Sequence, residues 1–508
     1  MSRGTRMAGH MAAQERFEGI LASAFRAFGH RLSDLSYANA YDGPDEPVLS
    51  AIAAALTDRS GLAYQYTPYG GNTATRRLIG SQLARNTGQP FNYKDVILTP
   101  GAMAALNLVF RALVQGEEGE GECLVLTPCW LDYPVYLENL GVPFRFVPMA
   151  GDKHLDLDAL ARALQPSTRA VILSSPGCPS GVLFGREELE SLAATLDAAE
   201  SRFGTRILLI GDEVHRDLLW SGEPFTSVLS CRPRSVSIYS FGKALFLQGQ
   251  RIGYVAVNPA MPEREEVRAE LQRAVRYMGF CTPTNLMQRA VPALLDYRPR
   301  LELVAARQHR TRAALQEFGY EVCEGKATFF VYARSPDPDE FLFVERLAQK
   351  GLMVLPSSVF HEPGWFRISP DGHGRGARSR PADPRGGPRM SRLETRLPIP
   401  DLCWRGSEFL PPLEVDDPGA VRTHEGQFAR AVTDGERVLL ARDRYGIHKL
   451  FFAIREGGTV VAAHYLADLL DQGAPFAAIA SVPSGHTVEI DPGAGTSLHA
   501  PLSPAARR

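Results

Sequence analysis

Short apolar runs alternate with amphipathic segments between about residues 95 and 260. The clearest strand-like runs lie at residues 96–99, 123–126, 170–173, 207–210, 235–239 and 254–257. Helical patterns such as residues 104–113 and 186–199 separate them. Continuous apolar strands that alternate with helices predict an α/β fold, with a mostly parallel sheet covered on both faces. Ligands of such sheets bind at the carboxyl ends of the strands.

The pattern changes twice after this region. Residues 261–318 predict long, charged, amphipathic helices, and a smaller α+β region follows with strand-like runs at 328–332 and 365–369. Residues 370–389 are rich in Gly, Pro and Arg and nearly free of apolar side chains, which is typical of a disordered linker. Apolar patterning resumes near residue 396 and continues to about residue 490.

These changes in pattern predict the domain organisation. The predicted parts are an N-terminal arm at 1–40, a large domain at 41–260, a small domain at 261–370, a linker at 371–395 and a C-terminal α+β segment at 396–508.

Composition narrows the class of protein. The chain has 508 residues, of which 44% are hydrophobic and 22% are charged, as in an ordinary globular protein with a large core. A net charge of -2 gives no general attraction to nucleic acid or an anionic membrane. No apolar run is long enough to span a bilayer, and the N-terminus lacks the apolar core of a signal peptide. The seven cysteines lack CxxC spacing, which favours reduced thiols in the cytoplasm and no metal site.

The segment from residue 240 to residue 254 carries the strongest chemical signal. Lys243 follows a predicted strand and stands three residues after Ser240, and Arg251 lies in a Gly-x-Arg-x-Gly turn. This grouping resembles the cofactor-lysine segment of fold-type I pyridoxal 5'-phosphate (PLP) enzymes, the aminotransferase class I/II family. The resemblance implies that Lys243 forms a Schiff base with the PLP aldehyde, and that Ser240 and Arg251 hold the phosphate.

Two further groups match cofactor-binding positions of that family. Asp212 follows the strand at 207–210, where a carboxylate can pair with the protonated pyridine nitrogen of PLP. The alternative role for Asp212 is that of a helix N-cap. The turn Gly101-Ala102-Met103 follows a strand and opens a helix, so its free backbone N–H groups can hold an anion.

Three more residues take roles from the resemblance. It implies that Trp130 stacks on the PLP ring, that Tyr66 reaches the phosphate of a neighbouring subunit in a homodimer, and that Arg367 binds the substrate α-carboxylate. The planar fork of an arginine matches a carboxylate at two points, which a lysine cannot do. The structural alternatives are a core tryptophan, a turn tyrosine beside Pro68 and a surface arginine on an edge strand.

The chain departs from the family pattern at two positions. Cys178 stands where an asparagine usually donates to the phenolic oxygen of PLP, and His215 stands where a second donor is usually a tyrosine. A thiol is a weak donor, so we expect His215 to compensate and its charge to matter near neutral pH. The Asp-Glu-Val-His run at 212–215 also resembles the carbon–sulfur lyase branch of the same fold, which keeps β-elimination open.

The C-terminal segment resembles asparagine synthase-type glutamine amidotransferase domains at residues 426–435, 439–452 and 482–486. That family uses an N-terminal cysteine as nucleophile and base. This segment is internal, and its nearest thiol, Cys403, has no free amine, so we predict no glutaminase activity. Three interpretations of this segment stay open. It has a scaffold or docking role, it is a neighbouring gene joined by a frameshift at Met390, or it is an unrelated α+β domain with a chance match.

The resemblances together predict a PLP-transferase of fold type I, with a small α+β domain and a C-terminal amidotransferase-like segment. The predicted protein is a cytoplasmic, homodimeric PLP-dependent aminotransferase that acts on an amino acid. One alternative is PLP-dependent carbanion chemistry without net transfer, such as cyclisation or β/γ-elimination or replacement in natural-product biosynthesis. The other alternative is a scaffold protein with a vestigial PLP site.

Overall fold

A computed structural model gives the fold of most of the chain as far as residue 370 and of shorter stretches beyond it. The described residues are 3–29, 32–36, 43–114, 121–279, 282–370, 393–397, 402–405, 408–410, 425–433, 437–443, 448–455, 459–472, 474–475, 478–491 and 495–499. The chain divides into two compact units, Met1–Gly376 and Ala377–Arg508. The finer division of the first unit into a large and a small domain stays a prediction.

The first unit contains helices and strands in alternation. Its helices are α1 (Arg3–Phe28), α2 (Glu46–Thr57), α3 (Thr73–Thr87), α4 (Ala102–Val109), α5 (Tyr133–Leu140), α6 (Leu157–Ala163), α7 (Arg186–Phe203), α8 (Phe241–Ala244), α9 (Arg264–Tyr277), α10 (Asn285–Ala290), α11 (Leu301–Glu317) and α12 (Glu340–Ala348). Its strands are β1 (Ser33–Asp34), β2 (Val96–Thr99), β3 (Glu122–Thr127), β4 (Phe144–Pro148), β5 (Thr168–Ser174), β6 (Leu208–Asp212), β7 (Ser235–Ser240), β8 (Gly253–Val257), β9 (Val331–Arg334), β10 (Leu352–Met353), β11 (Leu355–Pro356) and β12 (Trp365–Ile368).

A seven-stranded sheet of order β2-β8-β7-β6-β5-β3-β4 forms the centre of the first unit. Strands β3 to β7 pair in parallel, as the apolar runs predict, whereas β8 runs antiparallel to both of its neighbours. The sheet is therefore mixed. The sequence did not predict this, because strand direction leaves no trace in the apolar pattern of a strand that is buried on both faces. Strand β4 escaped prediction because it lies at the edge and buries fully only one of its five residues.

Side chains from the central strands pack on both faces of the sheet. Val125, Ile172 and Ile210 belong to one buried apolar cluster, and their chain neighbours Leu124, Val171 and Leu209 belong to another. Successive side chains of a strand point to opposite faces, so both faces are covered. This packing fixes the strand ends, from which the site residues project.

A three-stranded antiparallel sheet of order β11-β12-β9 lies later in the same unit. Phe366 and Ile368 of β12 pack into an apolar cluster that includes residues of α1 and α12. Trp365 packs instead with the residues of the central sheet. Because alternate residues share a face, Arg367 lies on the Trp365 face of β12. The Nζ atom of Lys153 lies 4.1 Å from the Trp365 ring centre and 2.9 Å from a carboxylate oxygen of Glu362.

The second unit consists of short strands and one described helix. Its elements are β13 (Leu393–Arg396), β14 (Leu402–Arg405), β15 (Glu408–Leu410), β16 (Glu425–Gln427), β17 (Ala429–Thr433), β18 (Val438–Arg442), β19 (Phe451–Ile454), β20 (Val460–Ala463), α13 (Leu466–Asp471), β21 (Ala480–Ser481), β22 (Thr487–Asp491) and β23 (Gly495–His499). They form sheets of order β13-β20-β19-β21, β15-β14-β16 and β17-β18-β22-β23. Met390 and the predicted linker up to residue 392 lie outside the described residues, whereas residues 393–395, predicted as the end of the linker, belong to strand β13. Across the described part of both units, no helix is long and apolar enough to cross a membrane.

Candidate active site

A cavity of about 410 Å³ opens at the carboxyl ends of the central strands. Asp212 ends β6, Ser240 ends β7, and Lys243 follows on the short helix α8. The cavity is lined by Ala102, Met103, Leu106, Trp130, Ser174, Cys178, Asp212, Val214, His215, Ser240, Gly242, Lys243, Gln248, Gly249, Arg251 and Phe330. Separate turns therefore bring together most of the residues that the sequence indicates. Gly101, Arg367 and Tyr66 are outside this lining.

Asp212 is buried and paired with a tyrosine. The Tyr133 hydroxyl donates to its Oδ2 atom at 2.5 Å, and its buried Oδ1 atom has no hydrogen-bond partner among the described residues. Burial raises the pKa of Asp212 to about 6, while the Tyr133 hydrogen bond and the Lys243 charge act in the opposite direction. The residues after Asp212 form turns, so the alternative of a helix N-cap is wrong. Asp212 offers a free carboxylate oxygen to a cationic partner.

Lys243 projects from α8 into the same cavity. Burial lowers the pKa of its amine to about 8, and the charges of Arg367 and Arg251 add to this effect. The nearby Cys178 and Asp212 act in the opposite direction. Near neutral pH the neutral fraction of this amine is therefore larger than that of an ordinary lysine, and a neutral amine can attack a carbonyl carbon.

Arg251, which lines the cavity, lies beside the start of helix α4. Gly101 has φ of 79°, and a Cβ atom there would come within 2.5 Å of the Nη2 atom of Arg251. Helix α4 begins at the next residue, so its first backbone N–H groups have no intrahelical acceptors. The Ser240 hydroxyl donates only a long 3.4 Å hydrogen bond to the Ile252 carbonyl oxygen. These groups can hold a phosphate.

Cys178 and His215 line the cavity close to Lys243. Burial raises the pKa of the Cys178 thiol to about 11, so the thiol is protonated at neutral pH. Burial, with the charges of Lys243 and Arg367, lowers the pKa of His215 well below its usual value. The two ring nitrogens of His215 have no hydrogen-bond partners in the described part of the chain. The expectation that the charge of His215 matters near neutral pH is therefore wrong, because the ring is neutral there.

Arg367 is only 2% exposed, and it lies close enough to the cavity for its charge to act on Lys243 and His215. Its guanidinium carbon is 4.1 Å from the ring centre of Phe330 and 5.2 Å from that of Phe360. One Nη atom donates to the Ser36 carbonyl oxygen, whereas Nε has no partner among the residues described. Burial lowers the pKa of Arg367 to about 10. The alternative of a surface arginine on an edge strand is wrong, because β12 is the middle strand of its sheet.

Trp130 and Tyr66 occupy opposite environments. Trp130 lines the cavity and packs against the apolar cluster on one face of the central sheet. Tyr66 is 100% exposed and takes no part in the lining. Within one protomer, therefore, Trp130 is available to the cavity and Tyr66 is not.

Tyr133 and Phe330 are among the residues of the site that had no predicted role. Tyr133 stands three residues after Trp130, and its spacing from Asp212 in the chain gives no sign of their contact. Phe330 belongs to an apolar run that predicts only a strand. Thr328, two residues earlier, has φ of 68°, an uncommon conformation for a β-branched residue, and its hydroxyl accepts from the Phe330 N–H at 3.1 Å. An apolar pattern cannot reveal such a turn.

Comparisons with known proteins agree with this geometry. The family model described as Aminotransferase class I and II matches residues 35–376. An aspartate aminotransferase of Geobacillus stearothermophilus is 29% identical over 68% of this chain and 89% of its own. A methionine aminotransferase of Escherichia coli is 30% identical over 59% of this chain and 77% of its own. A crystal structure of an amino transferase from Eubacterium rectale matches with a TM-score of 0.68 and 26% identity, over 73% of this chain and 94% of its own.

The fold and the cavity define an enzyme of the fold-type I PLP-dependent class. The chain belongs to the Aminotransferase class I and II family, and it is a PLP-dependent aminotransferase. The matched residues end at 376, so the family does not extend to the second unit.

The cavity fits PLP in three respects. The buried Oδ1 atom of Asp212 needs a partner, which the protonated pyridine nitrogen of PLP can be. The space kept open at Gly101 lies against Arg251, and it suits a phosphate. Lys243, with its lowered pKa, lies in the same lining as these two groups and suits the aldehyde.

Proposed function

We propose that this chain transfers the amino group of an α-amino acid to a 2-oxo acid, with Lys243 as the amine that binds the PLP aldehyde. One observation supports the proposal above the others: Lys243, Asp212 and Arg251 line a single cavity at the carboxyl edge of the central sheet. An amine, a carboxylate and a guanidinium at separate points of one lining match the aldehyde, the pyridine nitrogen and the phosphate of PLP.

Lys243 and Asp212 would divide the chemistry between them. Bound PLP would supply an electron sink that acidifies the α-C–H bond of the amino acid. Lys243 would accept the α-proton on Nζ and return it, because burial leaves part of the amine neutral near pH 7. Asp212, hydrogen-bonded by Tyr133, would keep the pyridine nitrogen protonated through its charge.

The remaining residues would bind and orient. The N–H groups at Ala102 and Met103, with Ser240 and Arg251, would hold the phosphate. Trp130 would cover one face of the ring, and Cys178 with the neutral His215 would face the phenolic oxygen. Arg367 would pair with the α-carboxylate of the substrate, because a buried guanidinium with a free Nε gains most from an anionic partner.

The reaction is tested with a panel of amino acids and a 2-oxo acid acceptor. We expect release of a new oxo acid, formation of a new amino acid and cycling of the visible absorption of PLP. Lys243→Ala should abolish all three. Release of ammonia with an oxo acid and no new amino acid would contradict amino transfer and favour elimination. Elimination is the alternative that the departures from the family pattern at Cys178 and His215 support.

We propose further that the enzyme is a homodimer with shared sites. Large apolar side chains are exposed close together in the chain between residues 49 and 69, at Leu49, Leu56, Leu62, Tyr64, Tyr66 and Tyr69. Exposed apolar patches of this kind mark protein interfaces. Tyr66 would then reach the phosphate in the partner subunit, consistent with its full exposure in one protomer.

Subunit mixing tests the shared site. Tyr66→Ala and Lys243→Ala subunits should each form weakly active or inactive homodimers. Mixed dimers should regain activity, because one of their two sites combines an intact Lys243 with an intact Tyr66. A monomer by light scattering, or no recovery on mixing, would contradict the proposal.

We propose that the second unit is an amidotransferase-like domain without a nucleophile. The Gly485 N–H donates to the Asp443 carbonyl oxygen at 2.9 Å, and the Asp443 carboxylate accepts from the His448 N–H at 3.0 Å. Arg442 donates to the carbonyl oxygens of His448 and Val482. These contacts join two of the three resembling segments. Residues 444–447 of the same motif lie outside the described residues, and nothing is described of the Cys403 side chain.

Incubation of the protein with glutamine tests this assignment. We expect no ammonia release, and a chain ending at residue 376 should keep full amino transfer. Glutamine hydrolysis would contradict the lack of a nucleophile. The proposal also places the enzyme in the cytoplasm, where buried free thiols such as those of Cys123, Cys129 and Cys178 stay reduced.

A further inference from the structure

Much of the cavity wall has no partner in PLP. If Lys243, Asp212, Ser240 and Arg251 hold the cofactor as proposed above, the side chains left in the lining are mainly apolar. Because Trp130, Cys178 and His215 are also assigned to PLP, the larger side chains that remain are Met103, Leu106, Val214 and Phe330, with Ser174 and Gln248 as polar members. Substrate side chains must contact this remaining wall. Apolar walls favour apolar groups, because burial removes apolar surface from water.

Phe330 sets the character of the wall nearest to Arg367. Its ring lines the cavity, and the guanidinium carbon of Arg367 lies 4.1 Å from the ring centre but is not part of the lining. Phe360 lies on the guanidinium at 5.2 Å, so two aromatic rings contact the same cation. Arg367 can therefore serve one carboxylate, and the surface beside it is an aromatic ring.

Within one protomer, the described wall holds no further cation for a second carboxylate. Arg251 belongs to the phosphate end, and Lys243 belongs to the aldehyde. His215 is the other basic side chain in the lining, and its ring is neutral near pH 7 because of burial and the neighbouring charges. Transfer of an unpaired carboxylate into such a wall costs far more free energy than transfer of an alkyl group gains.

We propose that the enzyme takes amino acids with one carboxylate and a bulky apolar side chain, such as methionine, leucine or phenylalanine, and that Phe330 is a specificity-determining residue. This inference rests on the proposed amino transfer and on the assignment of Arg367 to the α-carboxylate. Acidic amino acids are expected to be poor donors.

Two unreactive carboxylates separate binding from reaction. 4-Methylpentanoate is leucine without its amino group, and succinate is aspartate without its amino group. We expect calorimetric titration of the PLP-loaded full-length protein to give tighter binding of 4-methylpentanoate by about tenfold or more. The kcat/KM values of leucine and methionine should exceed those of aspartate and glutamate by at least a similar factor.

A matched pair of variants tests the role of Phe330. Phe330→Leu keeps an apolar side chain and should retain the preference for 4-methylpentanoate. Phe330→Asn introduces a side chain close in size to that leucine but with a polar amide, and it should reduce the preference for 4-methylpentanoate several-fold. Phe91→Asn, in the separate buried cluster that contains Ile79 and Leu83, controls for a general loss of stability and should leave the preference unchanged.

The outcomes distinguish this inference from the proposed function. Equal or tighter binding of succinate, with aspartate or glutamate as the better donor, would overturn the inference and leave amino transfer intact. An unchanged preference in a folded Phe330→Asn protein would overturn the role of Phe330. If no amino acid reacts, the proposed function fails, and the two carboxylate affinities still decide the apolar character of the site. If Phe330→Asn does not fold, the wild-type comparison alone decides the substrate class.

Discussion

The Tyr133 hydroxyl donates to the Oδ2 atom of Asp212 at 2.5 Å, at a point where both side chains are buried. Burial raises the pKa of this carboxyl group, and the hydrogen bond lowers it, so Tyr133 helps Asp212 to remain ionised. An ionised Asp212 is what a protonated pyridine nitrogen requires. The pair therefore connects the start of α5 with the proposed cofactor site.

Replacement of Tyr133 by phenylalanine should weaken cofactor binding below neutral pH. A hydrogen bond to a charged group contributes about 1.5–3 kcal/mol, which corresponds to an upward pKa shift of about one unit or more for Asp212. Cofactor affinity should fall as pH decreases through about 6 in the wild type, and through a higher pH in Tyr133→Phe. The dissociation constant of PLP, measured by fluorescence between pH 5 and 9, gives both midpoints.

Tyr136→Phe provides the control for this change. Tyr136 lies one helical turn further along α5 and contacts Asp132. Removal of its hydroxyl should leave the pH midpoint of PLP binding unchanged. The ratio of the PLP dissociation constants of variant and wild type cancels the titration of PLP itself. Identical pH profiles for Tyr133→Phe and the wild type would show that the hydrogen bond does not support ionisation of Asp212.

Capture of PLP by the cofactor-free enzyme should accelerate as pH rises through about 8. Only the neutral amine of Lys243 attacks the aldehyde, and burial lowers its pKa to about 8. The rate should therefore rise about tenfold per pH unit below 8 and become constant above it. Stopped-flow absorbance at several pH values measures this rate.

Lys153→Ala is the matched control for the lysine assignment. Lys153 is also buried, but it pairs with Glu362 outside the cavity. Borohydride should fix PLP covalently in Lys153→Ala and not in Lys243→Ala. A rate that levels off only above pH 10 would mean that the amine has an ordinary pKa.

Alanine at position 101 should reduce affinity for PLP more than affinity for pyridoxal, which lacks the phosphate. The new Cβ atom would lie 2.5 Å from the Nη2 atom of Arg251 and would displace the guanidinium from the proposed phosphate position. Loss of a charge-assisted contact should weaken PLP binding by about tenfold or more.

Gly88→Ala separates crowding from backbone strain. Gly88, with φ of 72° and ψ of 8°, is left-handed, and an added Cβ atom there would meet nothing within 4 Å, whereas Gly101 has φ of 79° and ψ of 178°, a region that almost only glycine adopts. Gly88→Ala should lose about 1 kcal/mol of stability through strain and Gly101→Ala about 1–3 kcal/mol, whereas only Gly101→Ala should lose affinity for PLP relative to pyridoxal. Equal PLP affinities in the two variants would refute the phosphate assignment.

Substitution of Arg367 by lysine should raise the KM of the amino donor by about 10- to 100-fold, with a smaller effect on kcat. Lysine keeps the charge and loses the planar fork that pairs with a carboxylate at two points. PLP affinity should stay the same. Steady-state kinetics with a fixed acceptor measure the separation of KM from kcat.

Arg232→Lys tests whether such an effect is specific. Arg232 is also buried, and it pairs with Asp197 and Glu200 near the other end of β7. Its replacement should lower stability and leave the KM unchanged. A wild-type KM in Arg367→Lys would assign the substrate carboxylate to another residue.

The apolar pattern predicted the fold well where strands are buried on both faces. Residues 96–99 and 170–173 coincide with or lie within observed strands, because a continuous apolar run of that length fits a covered strand. The direction of β8 was beyond the pattern, because a buried strand has the same apolar run in either direction. The edge strand β4 was missed because it buries fully only one of its five residues.

The site could be predicted where chemistry is local in the chain. Lys243, Ser240 and Arg251 lie within a dozen residues, so their spacing alone indicates a common task. The contact of Tyr133 with Asp212 joins residues 79 positions apart, and the pairing of Phe330 with Arg367 depends on a turn at Thr328. The neutral state of His215 follows from burial and two nearby positive charges, which only the folded chain supplies.

Strand β12 presents Trp365 and Arg367 on one face and packs Phe366 and Ile368 into the cluster on the other. The position of the Arg367 side chain therefore depends on residues that do not contact the substrate. Changes of volume in that cluster would shift the guanidinium by fractions of an ångström and alter substrate preference from a distance. Laboratory evolution toward new amino donors should accordingly recover changes behind β12 as well as changes in the cavity wall.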